Sequence, residues 1–120
     1  MLQRCFEALR PARPMVHCIT NSVTINDCAN VLLAAGARPI MADAPEESAE
    51  ITAACQALVL NLGMLSPRKL EAMVKSGHQA NRMGIPVVLD PVGAGASALR
   101  TRAGHTLLEE VRFAAVRGNG

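Results

Sequence analysis

The runs Ala57-Leu-Val-Leu-Asn61 and Pro86-Val-Val-Leu-Asp90 stay apolar without alternation until a polar residue closes each one. A strand with one wet face alternates apolar and polar residues. An unbroken run therefore needs cover on both faces, the condition of a strand inside a parallel sheet. The flanking stretches carry a helical period instead. From about Ser22 to Ala35, residues Ile25, Cys28, Ala29, Leu32 and Ala35 fall on one helical face, and Gly36 suits the C-terminal cap. A short extended piece, Arg38 to Met41, follows. Asp43, Pro45, Glu46 and Glu47 then make an acidic helix start, with the helix running to about Cys55. Ser66 and Pro67 open another helix, whose inward stripe is Leu70, Met73, Val74, Gly77 and Ala80, and Gly84 closes it. Thr101 to Glu110 reads as a helix and Arg112 to Val116 as a last strand. Strand and helix alternate with no linker between them. The expectation is one α/β unit of three layers, a mostly parallel sheet with helices on both faces.

Composition narrows what fills that core and what the chain can bind. Half of the 120 residues are hydrophobic, yet only two are aromatic, both Phe, so aliphatic side chains must build the interior. The net charge of +2 is small and the basic residues are scattered without aromatic interleaving, so no nucleic-acid partner is expected. Cys5, Cys18, Cys28 and Cys55 form no C-x-x-C pair and no ligand spacing with His17, His78 or His105. Met1 to Arg10 is mixed and charged rather than an apolar leader, so reduced thiols in a cytoplasmic protein are expected. No apolar run approaches the roughly 18 residues of a membrane span.

Chemistry in an open parallel sheet is expected beyond the carboxyl ends of its strands. Three such ends carry polar or glycine residues: Asn61-Leu62-Gly63, Asp90-Pro-Val-Gly93-Ala-Gly95 and Arg117-Gly-Asn119-Gly120. On one rim, a carboxylate can hold Mg²⁺ or its waters, bare glycine backbone can approach phosphate oxygens, and a guanidinium can bind them in pairs. Singly, each has a plainer reading. Asp90 can cap its turn, Gly93 and Gly95 can be turn residues, and Arg117 can be a solvated charge. Gly93-x-Gly95-x-x-Ala98 imitates a dinucleotide fingerprint but follows Asp-Pro, and no Lys completes a P-loop. His17 and Cys18 are adjacent in an extended segment and so point to opposite sides, which suits a buried thiol beside a hydrogen-bonding imidazole better than a catalytic pair. His78 and His105 read as helix-surface residues, and Glu46, Glu47 and Glu50 as a complement to a helix start. Met41 is either core filler or the wall of an apolar pocket at the rim.

Taken together, Val16-His-Cys-Ile-Thr-Asn21, Pro39-Ile-Met-Ala-Asp-Ala44, Ala57-Leu-Val-Leu-Asn-Leu-Gly63, Val87-Val-Leu-Asp-Pro-Val-Gly-Ala-Gly95 and Val111-Arg-Phe-Ala-Ala-Val-Arg-Gly-Asn119 resemble the hydroxyethylthiazole kinases of thiamine salvage, members of the ribokinase-like superfamily. The resemblance runs from about Arg13 onward. It implies transfer of the ATP γ-phosphate to the hydroxyl of 4-methyl-5-(2-hydroxyethyl)thiazole with Mg²⁺. It assigns Met41, Asn21 and Gly63 to the thiazole pocket, Arg117, Asn119, Gly93 and Gly95 to ATP, and Asp90 to the metal. It further implies a homotrimer with thiazole sites between subunits, which would account for a polar Asn21 beside an apolar helix. Family chains are about twice as long. The 120 residues are thus expected to form the N-terminal part of one kinase domain, with no catalytic residue of their own and little activity alone. Two other readings stay open: a non-catalytic thiazole- or nucleotide-binding half-domain, or another ribokinase-like enzyme such as a hydroxymethylpyrimidine kinase.

Overall fold

The computed structural model describes residues 1–118. Five parallel strands form one sheet in the order β2-β1-β3-β4-β5. They are β1 (Met15–Ile19), β2 (Arg38–Met41), β3 (Ala57–Asn61), β4 (Val87–Asp90) and β5 (Ala115–Val116). The helices are α1 (Leu2–Ala12), α2 (Ile25–Ala35), α3 (Ser48–Ala53), α4 (Pro67–Met83) and α5 (Ala98–Glu110). The parallel sheet with helices on both faces is the expected class.

The two faces are covered unequally. On one, Ile19, Leu58, Leu60, Val87 and Leu89 pack against Ala72, Met73 and Ala80 of α4 and Ala103 and Leu107 of α5. Each large side chain buried there contributes about 1.5–3 kcal/mol. On the other, Val16, Cys18, Met41 and Val59 meet Leu32 of α2. Ile25, Cys28, Ala29, Leu32 and Ala35 are the half-buried positions of α2, as the period predicts, but neither α1 nor α2 has a fully buried residue.

Four boundaries differ from expectation, each for a local reason. The charged N-terminal stretch, which carries no apolar run, forms α1 on the surface. The helix expected from Asp43 becomes regular only at Ser48, after a turn in which the Ala44 carbonyl accepts from the Glu47 and Ser48 amides at 3.1 and 3.0 Å. Helix α5 starts at Ala98, before Thr101, because the Ser97 hydroxyl accepts from the Arg100 amide at 3.2 Å as its cap. The last strand is shorter than Arg112 to Val116. Asn81 engages Arg112 on both sides, accepting from its amide at 2.8 Å and donating to its carbonyl at 3.0 Å, which removes Arg112 from the ladder.

Candidate functional site

Because all five strands are parallel, their carboxyl ends share one rim. The chain leaves β1 toward β2 on one side and reaches β3 on the other, so the strand order reverses between β1 and β3. A crevice at such a reversal is the usual ligand position in this architecture. Across the rim lie Met41 of β2, Thr20 and Asn21 after β1, Asn61 of β3, Asp90 of β4 and Arg117 after β5. The three strand ends expected to converge do so.

At the reversal, the polar groups are fully engaged with one another. Asn21, 8% exposed, accepts through Oδ1 from the Val23 and Thr24 amides, each at 3.1 Å, and from the Thr24 hydroxyl at 3.2 Å. Its Nδ2 donates to Asn61 Oδ1 at 3.2 Å, and the same oxygen accepts from the Gly63 amide at 2.8 Å. A Cβ on Gly63 would stand 2.7 Å from Asn21 Nδ2 and 2.9 Å from Asn61 Oδ1, so a side chain there would break this arrangement. Asn21 therefore builds the loop that leads into α2, and its polarity is accounted for within the chain.

His17 ties the neighbouring loop down. Its Nε2 donates to the Ala42 carbonyl at 2.7 Å, because a carbonyl can only accept, so Nδ1 accepts from the Thr52 hydroxyl at 2.8 Å. Burial, partly offset by the Ala42 hydrogen bond and by Glu47, lowers the imidazole pKa and keeps the ring neutral. Burial pushes the adjacent Cys18 thiol up to about 11, so it is no nucleophile. The two side chains lie on opposite faces of the sheet, as the extended backbone predicts.

Met41 is half-buried and lines a small pocket of about 70 Å³ with Cys18, Thr20, Ile25, Ala42 and Asp43. Asn21 and Gly63 do not line it. The structure thus joins Asn21 to Gly63 through Asn61, and sets Met41 beside Thr20 instead.

At the other end of the rim, Arg117 Nη1 donates to Asp90 Oδ2 at 2.8 Å. Asp90, Pro91, Val92, Gly93, Ala94, Arg117 and Gly118 line a recess of about 310 Å³. Gly93 and Gly95 both have the left-handed φ, at 74° and 93°, that favours glycine. Only Gly93 lines the recess; the Gly95 amide donates to Thr101 Oγ1 at 3.1 Å. Asn119 lies outside the described residues. Among the described residues no group of three or more His, Cys, Asp or Glu could hold a metal. Asp90 offers a single carboxylate, which suits Mg²⁺ held jointly with phosphate oxygens and water.

Two rim residues escaped the sequence reading, and they share a design. Lys69 and Arg100 each stand three residues after a serine cap, Ser66 and Ser97. Lys69 Nζ donates to the Thr20 carbonyl at 2.9 Å and the Met64 carbonyl at 3.4 Å, and Arg100 Nη1 donates to the Val92 carbonyl at 3.0 Å. A cation in the first turn opposes the helix dipole by about 0.3–1 kcal/mol. That unfavourable placement was the available signal.

Residues 6–120 match the Hydroxyethylthiazole kinase family. A hydroxyethylthiazole kinase of Desulfovibrio desulfuricans is 59% identical over 113 residues, covering 94% of this chain and 40% of the relative. One from Thermoanaerobacter pseudethanolicus is 52% identical over 119 residues, covering 99% and 45%. The solved structure of a hydroxyethylthiazole kinase protein from Pyrococcus horikoshii OT3 superposes with a TM-score of 0.92 at 44% identity, covering 97% of this chain and 45% of that one. The chain spans less than half the length of the curated relatives it matches. No helix among the described residues is long and apolar enough to cross a membrane.

Proposed function

This chain belongs to the hydroxyethylthiazole kinase family, and from that premise we propose that it forms the first part of a single kinase domain phosphorylating the hydroxyl of 4-methyl-5-(2-hydroxyethyl)thiazole. The observation that carries the reading is the order of groups along the rim. A small apolar pocket at Met41 and a polar crevice at Asn21, Asn61 and Gly63 lie to one side of Asp90, Gly93 and Arg117. An acceptor alcohol at the first and ATP phosphates at the second would lie along one edge, as transfer between them requires.

In this reading Arg117 leaves Asp90 for a phosphate oxygen, and Asp90 then shares Mg²⁺ with the phosphates and water. Bound Mg²⁺ supplies neutralisation of charge on the transferring phosphoryl group. Gly93 lets the backbone approach the phosphates without a side chain in the way. Asn119 and Gly95 stay assigned to ATP by resemblance, and Met41, Asn21 and Gly63 to the thiazole. The catalytic groups proper are assigned to none of the 120 residues, in keeping with relatives more than twice as long. Assembly as a trimer belongs to the same proposal, supported by Val31 and Leu33 standing 67% and 58% exposed on α2. So does a cytoplasmic setting, supported by four free cysteines.

The test joins residues 1–120 to the remainder of the Desulfovibrio desulfuricans relative and follows the thiazole alcohol with Mg-ATP by phosphorus NMR. A new phosphomonoester is the expected result. No product, alongside phosphorylation of hydroxymethylpyrimidine, would transfer the chain to that other ribokinase-like activity. A non-catalytic thiazole-binding role has one observation in its favour: the bonds that fix the pocket side of the rim, from His17, Asn21 and Lys69, all lie within these residues.

A further inference from the structure

Thr20 is 7% exposed, and its hydroxyl is one of two buried side-chain polar atoms that find no hydrogen-bond partner among the described residues. The other, Ser76 Oγ, belongs to a fully buried residue of α4 and lines none of the rim pockets. Thr20 is different: it lines the Met41 pocket, at the strand end where the order of the sheet reverses. A buried hydroxyl left unpaired is costly, and in native proteins such a group is commonly explained by a ligand or an ordered water. The Thr20 backbone is meanwhile held firmly, since its carbonyl accepts from Lys69 Nζ at 2.9 Å. A residue fixed by its backbone, with its side chain unsatisfied beside a pocket, is preorganised for something that enters the pocket.

We propose that the Thr20 hydroxyl is a ligand-binding group of the Met41 pocket, donating to an uncharged heteroatom of a small heteroaromatic alcohol. This rests on the thiazole reading of the site and adds a residue to it. Neutrality of the ligand follows from the walls. Cys18, Ile25 and Met41 are apolar, and the Ala42 carbonyl is already taken by His17. Only Asp43, at the exposed mouth, carries charge. At about 70 Å³ the pocket has room for little more than two waters at roughly 30 Å³ each. It takes one edge of a ring, and the rest of the ligand lies over the rim.

The experiment compares the chain with Thr20→Val and Thr20→Ser by calorimetry with 4-methyl-5-(2-hydroxyethyl)thiazole and by thermal unfolding without ligand. Valine keeps the branched shape that a strand end accepts and deletes only the hydroxyl. The expected result is that Thr20→Val binds about tenfold more weakly, while its Tm is unchanged or raised. Thr20→Ser should stay within about threefold of the original affinity, a span smaller than one neutral hydrogen bond at its strongest. Equal affinity of the valine variant overturns the proposal and leaves the thiazole reading standing. No heat from the unsubstituted chain overturns both. A Tm lowered by several degrees in the valine variant would mean that the hydroxyl already has a structural partner, and would overturn the proposal by itself.

Discussion

Asn21 Nδ2 and Asn61 Oδ1 stand 3.2 Å apart across the reversal point of the sheet, joining the loop that follows β1 to the end of β3. One amide oxygen, Asn61 Oδ1, receives both this donor and the Gly63 amide. Either side chain alone therefore supports more than its own bond. Asn21→Ala and Asn61→Ala should each lower stability in urea by about 1–3 kcal/mol. The double variant should cost less than the sum, with a coupling of at least about 0.5 kcal/mol. Additive losses would mean that the contact carries no energy.

His17 gives a pH dependence with a defined sign. Burial holds its folded pKa below the ordinary imidazole value near 6.5. The unfolded chain thus binds the proton more readily, so this contribution is complete above about pH 6.5 and declines as pH falls toward the lowered folded value. His17→Gln should cost about 1–3 kcal/mol at pH 7.5 through its orphaned partners, Thr52 and Ala42. It should also flatten the acid limb of the stability curve. An unchanged acid limb in the variant would remove His17 as its origin.

Gly77 faces Val111 closely. A Cβ there would come within 2.4 Å of Val111 Cγ2 and 2.9 Å of Cγ1, inside the core shared by α4 and the end of α5. Gly77→Ala should destabilise by about 1–3 kcal/mol through overpacking. Adding Val111→Ala should return part of that loss, whereas Val111→Ala by itself opens a cavity. Failure of the second change to rescue the first would place the conflict elsewhere.

Arg117 separates stability from binding. Its side chain is 70% exposed and that of Asp90 20%, so the pair contributes about 0–1 kcal/mol in water. Arg117→Ala should barely move the unfolding midpoint. In a chain extended by the rest of a relative it should weaken Mg-ATP about tenfold or more, the scale of a charge-assisted hydrogen bond. A large stability loss with nucleotide affinity intact would invert that assignment.

What the sequence exposed and what it hid differ in kind. The unbroken run at Ala57–Asn61, the Ser66-Pro67 start and the glycine caps at Gly36 and Gly84 are signals written within a few adjacent residues, and each reappears as an element or its boundary. Asp90 and Arg117 were legible as neighbours because parallel strands carry their ends to one rim. Thr20 was not legible, since an unpartnered hydroxyl is a property of its surroundings. Lys69 and the Asn81 clasp depend on partners 49 and 31 residues away, so no local pattern announces them. The placement of Met41 with Thr20, apart from Asn21 and Gly63, likewise follows from which face of the sheet each side chain meets.

Asn81 has a reach beyond its own neighbourhood. By grasping Arg112 on both its amide and its carbonyl, it fixes the point from which the following residues are counted into the sheet. Ala114 then donates to Val87 and Arg117 to Leu89, each at 2.8 Å. A slip of one residue in that count would turn every side chain of β5 over, and Arg117 would face away from Asp90. The last residue but two of α4 acts as the zero mark of a ruler, and the ion pair at the opposite edge of the sheet is read off its sixth division.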